Sequence, residues 1–179
     1  MEAGYRIDRP NRDKASSKST RAVVIVLLAI SVALMLIVLL GGWSTLQGAQ
    51  AFQIAYVLIY LSLAVGVARW SRGALAVTAA LAIILAIFAG VAGPAWFARD
   101  ANGFAPPETV FGGGGPGASL LGIVTFLLIP VQVLLIAFSA QAFRQDWQVE
   151  VEVPNGPDDP TGPGPGARRG SRPSRPAAA

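Results

Sequence analysis

Gln53, Tyr56 and Tyr60 lie three and four residues apart in a stretch that is otherwise almost wholly apolar, and Gln132 sits in another such stretch. At helical periodicity the first three share one face. Amides and phenols set in apolar helices can do one of two things. They hydrogen-bond neighbouring helices across a dry seam, or they line a polar path for a solute. Neither role is covalent chemistry. The chain has no His and no Cys, which excludes imidazole and thiolate ligands and disulfides. The long apolar stretches hold no Lys, Arg, Asp or Glu, so the usual intramembrane proton and ion relays are missing. Ser31, Ser62 and Ser139 have no base beside them in sequence. The expectation is a protein with no catalytic residues, no metal and no cofactor.

Two weaker patterns add nothing to this. Asp100, Asn102 and Gly103 open like a calcium loop, but the remaining ligands and the closing Glu are absent. The glycine run 112–115 follows no strand and lacks the Lys-Ser/Thr of a phosphate loop.

The elements that must position Gln53, Tyr56, Tyr60 and Gln132 are helices built for lipid. Of 179 residues, 53% are hydrophobic and 13% charged, with mean hydropathy +0.54. Soluble domains carry about 25% charged residues. Apolar stretches at 22–40, 51–67, 73–97 and 119–143 each suit a membrane span; the first is roughly 28 Å long as a helix. The fold class expected is an all-α membrane protein of four transmembrane helices. The first stretch exceeds a signal peptide's apolar region, so cleavage near Ala49-Gln50-Ala51 is not expected.

Several local features refine this picture. Thr78, Ala82, Ala86 and Gly90 recur every four residues and read as a small-residue packing ridge. Gly93-Pro94 is expected to disrupt the end of span three, and Pro130 to bend span four at the carbonyl of Phe126. Residues 98–118, rich in Gly and Pro, read as an irregular, mobile loop. Residues 147–153 alternate apolar and polar like a strand, but one without a partner in this chain. Residues 1–21 read as a disordered basic arm, 144–153 as an extended juxtamembrane segment and 154–179 as a disordered tail rich in Pro, Gly and Arg.

Charge sets the expected orientation. The formal net charge is +4. Arg69 and Arg72 sit in the shortest connection, and short loops rich in Arg stay cytoplasmic. With both termini on that side, thirteen of the fourteen Lys and Arg residues are cytoplasmic and Arg99 alone is outside. Trp43, Trp70, Trp96 and Trp147 all fall at span ends, where indole prefers the headgroup region. The partners expected are therefore the bilayer, its anionic headgroups, and a membrane-protein partner or a second copy, with no nucleic acid.

Arg outnumbers Lys twelve to two, and Ala, Gly, Val and Pro abound. In architecture and composition the chain resembles small four-span membrane proteins of high-GC bacteria. That resemblance implies a bacterial plasma membrane and no particular activity. Small multidrug exporters differ, since they need a glutamate in the first span and 22–40 has none.

Two functional readings follow. One is a non-catalytic scaffold or accessory subunit of a membrane complex. The other is a transporter or channel component with a path near Gln53, Tyr56, Tyr60 and Gln132. The sharpest structural expectation is that Gln132 meets the Gln53/Tyr56/Tyr60 face, because an amide facing lipid leaves its groups unsatisfied. Ser31 and Thr78 are the competing partners.

Overall fold

The computed structural model describes residues 5–154. Four long helices dominate it: α2 (Ala15–Gly41), α3 (Ala49–Ala68), α4 (Arg72–Ala101) and α5 (Ala118–Arg144). Before them come a strand, β1 (Tyr5–Asp8), and a single turn, α1 (Pro10–Asp13); after them comes β2 (Val151–Pro154). All four long helices are long and apolar enough to cross a membrane. The described residues divide into two units, 11–147 and the pair of segments 5–10 and 148–154.

In the larger unit α3 lies against α2, α2 against α5, and α5 against α4, whereas α3 and α4 touch little. The inward face of α5 is Leu121, Thr125, Leu128, Gln132, Leu135, Ser139 and Ala142. Those positions alternate by four and three, the seam of left-handed helix packing. The other faces carry equally apolar side chains turned outward, such as Val91 (71% exposed), Ile87 and Leu58.

Helix α4 turns Leu75, Thr78, Ala82, Leu85, Ala89, Gly93 and Trp96 inward. The expected ridge of Thr78, Ala82, Ala86 and Gly90 is therefore corrected. Ala86 is half-buried, and Gly90 is exposed with nothing near it. A strict four-residue step drifts about 40° per step round a helix of 3.6 residues per turn, so the row slides off the contact face. The close approach occurs elsewhere. A Cβ on Gly93 would lie 2.9 Å from the Phe126 ring, and one on Gly122 would lie 2.9 Å from the Phe97 ring. Each helix thus seats an aromatic ring over a glycine of the other, and the two rings stack at 5.8 Å.

Pro94 does not end α4, which continues to Ala101. Pro130 likewise lies inside α5. Neighbouring helices hold these segments in place, and proline costs one backbone bond without terminating either helix.

Three expectations about the connecting segments are also corrected. The polar residues before 22 are not a disordered arm throughout, since α2 starts at Ala15. Ser17 and Thr20 are buried there. Thr20 Oγ1 donates to the Ser16 carbonyl (2.8 Å) and accepts from Gln145 Nε2 (3.0 Å). Tertiary contact outweighs the few tenths of a kcal/mol by which Ser and Thr disfavour helix.

The loop after α4, expected to be irregular and mobile, is tied by hydrogen bonds to the end of α2 and the residues that follow it. Ser44 N donates to the Glu108 carbonyl (3.2 Å), Glu108 N donates to Ser44 Oγ (2.8 Å), and Val110 N donates to the Leu40 carbonyl (3.1 Å). The last bond satisfies a carbonyl that the end of α2 would leave orphaned.

In the smaller unit the strand has a partner. β2 pairs antiparallel with β1, with Ile7 opposite Glu152 and Asp8 opposite Val151, and Arg9 forms an ion pair with Glu150. The partner strand lies in the segment whose composition reads as disordered. Apart from Pro154, the tail 154–179 lies outside the described residues.

Candidate functional site

The polar residues converge on a hydrogen-bonded chain across three helices. Tyr60 Oη of α3 donates to Gln132 Oε1 of α5 at 2.9 Å. Gln132 Nε2 donates to Ser31 Oγ of α2 at 2.9 Å, and Ser31 Oγ donates to the Leu27 carbonyl at 2.8 Å. Tyr60, Gln132 and Ser31 each have 0% exposure. In such surroundings an unpaired amide or hydroxyl is costly, and this chain leaves none of the three unpaired.

Gln132 thus meets both the Tyr60 face and the competing Ser31. Gln53 and Tyr56 do not join them. Gln53 Nε2 donates to the Met35 carbonyl at 3.0 Å, which ties α3 to α2 nearer the start of α3. The Tyr56 ring packs between Phe52 (4.8 Å) and Tyr60 (5.9 Å). Thr78 turns back to the Ala74 carbonyl at 2.7 Å. Ser31 is the member that sequence reasoning ranked too low. The signal for it was present, since it is the lone polar residue of 22–40.

A cavity of about 410 Å³ opens between α3 and α4; Gln53 and Tyr56 line it, whereas Tyr60, Gln132 and Ser31 do not. Met35, Tyr56, Leu85, Ala89 and Leu128 are among the residues that line it, and no charged side chain does.

At the end of the bundle that carries the α3–α4 turn, aromatic and cationic side chains interlock. Ser71 Oγ caps α4 by accepting from Ala74 N at 3.3 Å. Trp70 adopts a left-handed backbone (φ 63°), costly for a bulky residue and offset here by its contacts. Its ring meets that of Trp147 edge to face at 5.0 Å, and the Arg21 guanidinium lies over it at 4.5 Å. Arg72 pairs with Asp146 (2.9 Å) and lies over Phe143 (4.2 Å), while Arg69 is exposed. Arg72 therefore binds α4 to the end of α5 in addition to any effect on orientation. Among the described residues no group of three or more His, Cys, Asp or Glu is placed to hold a metal ion.

No protein-family model, curated protein or solved structure matches the chain. Its class rests on its own architecture: four helices long and apolar enough to cross a membrane make it a multi-pass membrane protein.

Proposed function

We propose that this protein is a non-catalytic scaffold or accessory subunit of a membrane complex, with Arg69, Arg72 and both termini on the cytoplasmic side of a bacterial plasma membrane. The observation that carries the reading is the closed Tyr60–Gln132–Ser31 chain, whose members have 0% exposure and are satisfied by one another and by the Leu27 carbonyl. A transporter of the alternative kind would need a water-wide path past Gln53, Tyr56, Tyr60 and Gln132; a cavity reaches Gln53 and Tyr56, but its wall is otherwise almost wholly apolar and it is not lined by Tyr60 or Gln132. The absence of His, Cys and intraspan charge supports a non-enzymatic role. Basic side chains on the cytoplasmic face favour anionic headgroups there.

Crosslinking in intact native membranes, followed by solubilisation, is expected to give one defined higher-mass species containing a second membrane protein or a second copy. A chain that stays monomeric and makes reconstituted liposomes permeable to small solutes would overturn the scaffold reading. Orientation has its own test. Reporter fusions after Gln50 and after Arg72 are expected to give opposite compartment signals, the second cytoplasmic. A cytoplasmic signal after Gln50 inverts the assignment.

A further inference from the structure

We propose that the cleft between α3 and α4 is a lipid site that takes one hydrocarbon chain of a glycerolipid from the leaflet at the Trp96 end, with Tyr56 donating a hydrogen bond to the ester carbonyl. The inference rests on the membrane class of the fold and not on the scaffold role.

The cleft follows from how the helices are paired. α3 and α4 are close at their connecting turn, where a Cβ on Gly66 would lie 3.0 Å from that of Ala74. Beyond it α3 follows α2 and α4 follows α5, so the two diverge. The gap is floored by Met35 of α2 and Leu128 of α5. Across its outer side Phe52 and Phe88 meet edge to face at 5.0 Å, a clasp from one helix to the other. Nearer Trp96 the lining residues Ala49, Ala92 and Ala95 are small and exposed, which leaves an opening toward the bilayer.

The chemistry selects the occupant. A cleft of about 410 Å³, lined mostly by carbon and open toward the bilayer, favours an apolar occupant. Water needs two to four polar partners, roughly, and does not fill apolar space. The polar groups in the wall are Gln53, Tyr56 and Thr125. Gln53 donates to the Met35 carbonyl and Thr125 to the Leu121 carbonyl (2.7 Å). The Tyr56 hydroxyl has no partner among the described residues and is not sealed from the surface. Long side chains on a helix lean toward its N-terminus, so Tyr56 reaches toward Ala49 and the headgroup end. An uncharged wall whose free polar atoms are the Tyr56 hydroxyl and the rest of the Gln53 amide fits an acyl chain topped by an ester.

Native mass spectrometry of the full chain, extracted in mild detergent, tests this directly. One glycerolipid per chain is expected to survive detergent exchange. Ala92→Trp and Ala95→Trp, which fill the cleft from its open side, are expected to abolish that retention. Ala80→Trp, exposed on the same helix outside the cleft, is expected to keep it. Tyr56→Phe is expected to weaken retention about fivefold, the value of one modest hydrogen bond. Loss of lipid to the same extent in all three tryptophan variants, or a detergent-exchanged chain that carries none, overturns the site. A bound species lacking an ester overturns the role of Tyr56.

Discussion

Gln132→Ala is expected to destabilise the bundle by about 3 kcal/mol, combining two penalties. The substitution empties space at a position with 0% exposure and strands the Tyr60 hydroxyl, which donates to Gln132 at 2.9 Å. Ser31 keeps its own bond to the Leu27 carbonyl, so its loss is smaller. Gln132→Leu refills the volume and isolates the polar part, which should cost about 1–2 kcal/mol. In membrane proteins the bond itself averages about 0.6 kcal/mol. The triple variant Ser31→Ala, Tyr60→Phe, Gln132→Leu removes every partner together and should return to within about 1 kcal/mol of the parent. Unfolding of the purified protein in mixed micelles, titrated with denaturing detergent, measures all three. Additive losses in the triple variant would show that the three side chains do not act as one network.

The second large effect is expected at Gly115. A Cβ there would lie 2.6 Å from both the Gly41 and the Pro107 carbonyl oxygens. Backbone atoms cannot swing aside as a side-chain tip can. Gly115 N also donates to the Pro107 carbonyl at 2.7 Å, so the segment has no room to retreat without losing that bond. Gly115→Ala should therefore cost about 2–3 kcal/mol and release the loop from the end of α2. Gly114→Ala is the internal control, since nothing lies within 4 Å of its Cβ position. Hydrogen exchange of Ser44, Glu108 and Val110 amides should rise in the first variant and stay unchanged in the second. Equal protection in both would mean that the loop is not held through this contact.

Much of the helix count was legible from local chemistry, because a segment in hydrocarbon must satisfy its own backbone. Nineteen residues at 22–40, eighteen of them apolar, leave a helix as the solution. The faces were not legible. In a soluble bundle the seam of α5 would stand out against polar neighbours, but lipid accepts the same side chains as the core does. Thr78 to Gly90 looked like a ridge for that reason, and the rings over Gly93 and Gly122 passed unseen.

Polar residues broke this degeneracy. Gln132 had to face protein, since lipid offers an amide no partner, and that much followed from its position alone. Which groups met it was decided by tertiary structure. Tyr60 and Ser31 lie 72 and 101 residues away, and their meeting depends on how α2, α3 and α5 pack. Distance in sequence hid β1 from β2 in the same way, since strand pairing is a property of two segments and neither carries a mark of the other. By itself the sequence determined how many apolar helices form, that no His, Cys, Lys, Arg, Asp or Glu lies within the apolar stretches, and that Gln132 must turn away from lipid. Only the tertiary structure decided the order of the helices, because apolar surface is non-directional, and only hydrogen bonds and ring-on-glycine contacts distinguish one packing from another.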